Sequence, residues 1–196
     1  VTYAPVTTPV VPPRRGLSTG AVVGIVAGGL TLILVVVAAV VLGSSVFGAD
    51  TMQLKATGIS MEPAIRAGQT VTAEKVAAGK YRPKRGDIIA FPAPASWLSS
   101  DTNQTIMKRV IGLPGDRLSC CDSTGRWLVG GQPLAEPYLK TPGTERPFDI
   151  VVPDGRLWVM GDNRENSNDS RRMFIVSNDI GMATIPVTVV TALVQQ

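Results

Sequence analysis

Ser60 stands in the run Gly58-Ile59-Ser60-Met61-Glu62-Pro63, at the exit of a β-like segment from Thr51 to Ile59. Gly58 tolerates a close backbone approach and Pro63 ends a regular ladder, which places the serine hydroxyl on a sharp turn. The chain contains no histidine. That excludes a Ser-His-Asp triad and a His-ligated metal site. A serine nucleophile here needs another base. A lysine serves when burial lowers its pKa far enough to give a neutral amine near neutral pH. Lys108 is the candidate, in the apolar, strand-like run Thr105-Ile106-Met107-Lys108-Arg109-Val110-Ile111-Gly112.

The elements that must position these two side chains are short. Val71-Thr72-Ala73, Asp87 to Phe91, Thr105 to Ile111, Arg126 to Val129, Arg156 to Met160 and Pro186 to Val194 read as strands. Ala67-Gly68, Lys84-Arg85-Gly86, Pro114-Gly115-Asp116, Gly130-Gly131 and Asp154-Gly155 read as the turns between them. No long amphipathic helix is expected, so the class is mainly β, with curved antiparallel sheets. A net charge of +4 over 196 residues, with few aromatics and no basic helical face, gives no ground for nucleic-acid binding.

The front of the chain has a different character. Residues 1–16 are Pro- and Thr-rich, end on Arg14-Arg15 and read as a disordered tail. Ala21 to Leu42 carries no charge and as a helix spans roughly 33 Å, enough for a bilayer core. It is longer than the apolar stretch of a cleavable signal, and placing Ala49 at a cleavage position puts Phe47 where a small residue belongs. Residues 17–47 therefore read as one uncleaved transmembrane anchor. The arginine pair puts the tail in the cytoplasm and residues 48–196 outside. Gly20, Gly24 and Gly28, spaced by four, suit helix pairing, though glycine is common in membrane helices.

Four blocks now stand in order behind that anchor. They are Ser60-Met61-Glu62-Pro63, Gly86-Asp87-Ile88-Ile89-Ala90-Phe91, Lys108 to Asp116, and Gly161-Asp162-Asn163-Arg164-Glu165-Asn166-Ser167-Asn168-Asp169-Ser170-Arg171. In this order they resemble the type I signal peptidases, and the layout is similar to Gram-positive or actinobacterial members. The resemblance implies a membrane-bound serine endopeptidase with a Ser-Lys dyad. Its substrates would be exported preproteins, cut after small residues of the Ala-X-Ala type at the outer face of the cell membrane. It implies no cofactor and no metal. Ser60 matches the family nucleophile and Lys108 its general base. Ser167 matches the serine that hydrogen-bonds and aims the lysine amine, and Asp169 and Arg171 match a supporting salt bridge that Arg109 is expected to join.

The resemblance also implies an oxyanion hole built on the Ser60 N–H. Gram-negative members place a serine two positions earlier as the second donor; here that position is Gly58, as in many Gram-positive relatives, so the second donor is open. Ile59, Met61, Ile65 and Met107 flank the dyad and are candidate walls for small-residue pockets. An extended substrate is expected to add to an exposed strand edge.

Residues 113–157, which carry a second β domain in larger members, are expected to form a hairpin or small subdomain. Cys120-Cys121 falls there, as two thiols or as a disulfide between neighbours, disfavoured because successive side chains of an extended chain point apart. Trp97-Leu98 suits the membrane interface or an ordinary surface loop. A soluble Ser-Lys autoprotease and a tethered binding module are the alternatives. The anchor and the lack of DNA-binding helices oppose the first, and the intact blocks oppose the second.

Overall fold

A computed structural model describes residues 50–97, 104–139 and 147–195, all within the unit Ala49–Gln196. The expected tail (1–16) and anchor (17–47) lie outside the described residues, as does Leu98. Among the described residues no helix is long and apolar enough to cross a membrane.

Antiparallel pairing dominates. The strands are β1 (Thr51–Lys55), β2 (Thr70–Lys75), β3 (Ile88–Pro92), β4 (Thr105–Gly112), β5 (Arg117–Cys120), β6 (Leu128–Val129), β7 (Gln132–Pro133), β8 (Phe148–Val151), β9 (Arg156–Met160), β10 (Ile185–Pro186) and β11 (Ala192–Val194). Among the described residues they form a seven-stranded sheet, β1-β2-β11-β3-β4-β9-β10, and a four-stranded sheet, β7-β6-β5-β8. The mainly β expectation therefore holds.

β3 lies between β11 and β4 and is buried from Ile88 to Phe91. Its side chains alternate between two cores, as a pleated strand requires. Ile88 and Ala90 join Met61, Ile65, Ala73 and Val194. Ile89 and Phe91 join the larger core of Val110, Trp127, Trp158 and Met160.

The second sheet occupies the stretch expected to hold a hairpin. β6 and β7 are joined by Gly130-Gly131, with φ of 58° and 79°, a turn that needs two left-handed residues and hence two glycines. Cys120 and Cys121 are joined as a disulfide. The expectation that neighbouring side chains diverge applies to extended backbone, and β5 ends at Cys120.

Two short helices stand beside the sheets, α1 (Ser170–Ser177) and α2 (Ile180–Ala183), capped by Asp169 and Asp179, whose carboxylates accept N–H groups of the first turns. Two expectations are corrected. The run Pro186 to Val194 is broken: β10 gives way to a 3₁₀ turn, Val187–Val189, before β11 resumes. Trp97 is not a membrane-facing side chain. It is 2% exposed, packs edge-on against Phe91 and donates from Nε1 to the Met182 carbonyl at 2.9 Å.

Candidate active site

Ser60 sits on a tight turn after β1. Glu62 N–H donates to Ile59 O at 3.1 Å and Ile65 N–H to Met61 O at 2.9 Å. Met61 and Ile65, each 3% exposed, anchor the turn in the smaller core. From the far side Asn163 holds it twice, N–H to Ser60 O at 3.0 Å and Nδ2 to Ile59 O at 3.2 Å. The serine hydroxyl is left facing Lys108, whose Nζ donates to Ser60 Oγ at 2.7 Å.

Lys108 is 3% exposed. It lies across the ladder from Ile89, and residues two apart on a strand share a face, so Ile106 and Val110 flank it. The lysine thus stands on an apolar face of the strand, which suits a desolvated amine. Burial lowers its pKa from 10.5 to about 8; Asp169 opposes the shift, Arg171 reinforces it and Asp162 opposes it.

The run 161–171 forms the wall behind the dyad. A side chain at Gly161 would collide with Ser167 Oγ and the Ser60 carbonyl, so only glycine lets this backbone lie against both. Asp169 is fully buried and accepts from Arg171 Nη2 at 2.8 Å, Arg171 Nε at 3.1 Å and the Gly161 N–H at 3.1 Å. Burial alone would raise its carboxyl; the Arg171 charge and these bonds hold it below the usual range.

Arg109 joins a different pair from the expected one. Its guanidinium grips Asp162 at 2.8 and 2.6 Å, donates to Gly86 O at 2.7 Å and lies 4.0 Å from the centre of the Tyr138 ring. Arg164 pairs with Glu136, also in the interior. Asp162, Asn163, Arg164, Glu136 and Tyr138 were missed as supports. The first three stand in the run 161–171, but nothing in their order tells which partner each takes.

Ser167 is 9% exposed and adjoins the dyad, yet no hydrogen bond joins it to Lys108. It contributes to holding Asp169 low, although its hydroxyl meets no partner at ordinary hydrogen-bond geometry.

A cleft of about 480 Å³ opens in front, lined by Gly58, Ile59, Ser60, Met61, Met107 and Lys108 among others. Ile65 is absent from its lining and belongs to the core. The close backbone approach that Gly58 would tolerate is not made. A side chain there would meet nothing within 4 Å, and its φ is not positive. β4 pairs with β3 along Thr105–Arg109, but β9 pairs only with Arg109, Val110 and Gly112. The other edge of residues 105–108 is therefore without a strand partner among the described residues, and it faces this cleft.

This arrangement suits acyl transfer: a hydroxyl against a desolvated amine, beside an open strand edge. The family model described as "Signal peptidase, peptidase S26" matches residues 28–190. The chain belongs to that family. Among signal peptidases it is 41% identical over 113 residues to a probable signal peptidase I-1 of Synechocystis sp., 57% of each chain. It is 32% identical over 172 residues to a signal peptidase I of Mycobacterium tuberculosis, covering 65% of this chain and 58% of that one. A crystal structure of a signal peptidase I from Enterococcus faecalis aligns at 30% identity with a TM-score of 0.45, covering 59% of this chain and 98% of that one. The chain spans 57%, 62% and 63% of the lengths of three cyanobacterial signal peptidases that it matches.

Proposed function

We propose that this chain is a membrane-anchored serine endopeptidase that removes N-terminal signal peptides from exported preproteins, cutting after small residues of the Ala-X-Ala type. Residues 1–16 are its cytoplasmic tail, 17–47 its single anchor, and 48–196 its extracytoplasmic catalytic domain with the insertion 113–157. The observation that carries the reading is the 2.7 Å contact between Lys108 Nζ and Ser60 Oγ at a lysine lowered to about 8.

The neutral Lys108 amine takes the Ser60 proton as Oγ bonds to the scissile carbonyl carbon. Charge on the carbonyl oxygen is met by the Ser60 N–H, which no backbone carbonyl takes among the described residues. The C–N bond then breaks, and the Lys108 ammonium gives its proton to the leaving nitrogen. A water, losing a proton to Lys108, attacks the resulting ester. The acyl carbon leaves as a carboxylic acid, and Ser60 Oγ recovers its proton from Lys108. Asp169 and Arg171 hold the wall that carries Ser167, and Arg109 with Asp162 ties that wall to β4. An extended substrate lies along the free edge of residues 105–108, with alternate small side chains directed at Ile59, Met61 and Met107.

The test is cleavage of a detergent-embedded Ala-X-Ala precursor by the purified full chain across pH. Site-specific cutting that rises with an apparent pKa of about 8 and is lost in both Ser60→Ala and Lys108→Ala is expected. Full processing by either folded variant would refute the dyad.

A further inference from the structure

Two clefts meet at the nucleophile turn. The first is lined by residues 55–61 and by 104–108. The second, about 490 Å³, is lined by Glu62, Pro63 and Arg66, which follow the turn, and by Asp162, Asn163, Arg164 and Glu165. Glu165 lines both. Asn163, on the second cleft, is the residue that fastens the Ser60 and Ile59 carbonyls.

A peptide attacked in its middle must continue past Ser60 in both directions. Its acyl half has the edge of β4. Among the described residues its amine half finds no comparable edge in the first cleft, and the second begins where the nucleophile turn ends. We propose that the second cleft receives the first residues of the released segment, that Glu165 reads the charge of the residue just after the scissile bond, and that Arg66 reads a residue further on. This rests on the proposed peptidase reading and adds a subsite to it.

The ionic side chains of the second cleft divide into two groups. Asp162 and Arg164 are buried and committed, to Arg109 and Glu136. Glu62 Oε1 accepts the Ala67 N–H at 3.3 Å and sits in the turn. Glu165 and Arg66 are exposed and enter no ion pair among the described residues. Glu165 reaches both clefts, so it lies nearest the bond that is cut. Arg66 lines only the second and is met later. The segment such a cleft favours carries a basic first residue and an acidic one two or three positions on.

The test uses the full chain in detergent and precursor peptides identical up to the cut, with Lys or Glu at the first position after it or at the third. Wild type is expected to favour Lys over Glu at the first position by roughly two- to fivefold in kcat/KM, the range of an exposed charge pair. Glu165→Lys inverts that ratio and leaves the third position alone. Arg66→Glu does the converse. Both changes are at exposed positions, and thermal melts check that each variant folds. If wild type cuts but Glu165→Lys leaves the first-position ratio unmoved, the subsite is overturned and the peptidase reading stands. If folded wild type cuts none of the peptides, the peptidase reading fails and the subsite with it.

Discussion

A methyl group added at Gly58 would meet nothing within 4 Å, whereas one added at Gly161 would land on Ser167 Oγ and the Ser60 carbonyl. The two glycines lie on opposite sides of the same serine in function. Behind Ser60 the backbone is pressed against a wall of buried ions, Asp169 with Arg171 and Arg109 with Asp162. In front lie a half-exposed Ile59 and a strand edge with no partner among the described residues. A dyad needs both. The lysine must be dry and fixed for its amine to be neutral, and the carbonyl that the serine attacks must still have a way in.

The wall can be broken most severely at its buried charges. Asp162→Ala removes the carboxylate that grips the buried Arg109 guanidinium, and is expected to cost about 3–5 kcal/mol in urea unfolding. Asp162 also raises Lys108, so the acid limb of the rate profile should move to lower pH in this variant. A loss below about 1 kcal/mol, or a limb that moves up, would show that the pair does not support the wall.

Lys108 itself is the next largest effect, with the opposite sign for stability. Its folded pKa, about 8, lies below the ordinary 10.5. Between those values the unfolded chain binds a proton that the folded chain does not, so stability rises with pH there, and below about 8 the whole penalty is present. Lys108→Met removes the charge and keeps the volume. At pH 7 it is expected to raise stability by about 3 kcal/mol, an advantage that disappears above pH 10.5, while abolishing cleavage. A variant no more stable than wild type at pH 7 would mean that desolvation of the amine does not outweigh its bond to Ser60 and its attraction to Asp169 and Asp162.

What was legible in the sequence follows the same division. Ser60 and Lys108 stood out because the missing histidine left few bases and the four blocks came in order. The strands β3, β4 and β9 are apolar enough to read directly. β5 and β8 are four-residue strands, RLSC and FDIV, too short and too mixed to show a period. α1 begins with Ser170-Arg171-Arg172, and the only local sign of it was the capping Asp169. Arg109 was assigned to the wrong carboxylate because pairing is a tertiary fact: Asp162 and Asp169 are both in the quoted run, and only the fold decides between them. The close approach that Gly58 would tolerate is not made, because the residue lines the open cleft.

The two glycines give a matched pair of substitutions. Gly161→Ala is expected to cost about 1–3 kcal/mol as the backbone retreats from Ser167 and Ser60. The shift of Ser60 against Lys108 should lower kcat by about a hundredfold, with KM little changed, because the substrate edge on β4 is untouched. Unchanged kcat would mean that the wall yields without moving the serine.

The same change at Gly58 should be nearly silent. With open space and no left-handed backbone, Gly58→Ala is expected to keep stability within about 0.5 kcal/mol. It also sets the baseline for a sharper variant. Gly58→Ser has a similar footprint but adds a hydroxyl two residues before the nucleophile, the position from which a second donor could reach the developing oxyanion. The ratio of kcat for Gly58→Ser to Gly58→Ala isolates that hydroxyl, with a ceiling of about 3 kcal/mol for a fully preorganised donor. A ratio above one supports an oxyanion hole that rests on the Ser60 N–H and accepts help. A ratio below one, in a protein that melts normally, would mean that the room beside Gly58 is taken by the substrate rather than by the oxyanion, and that the open side of the site is open for binding alone.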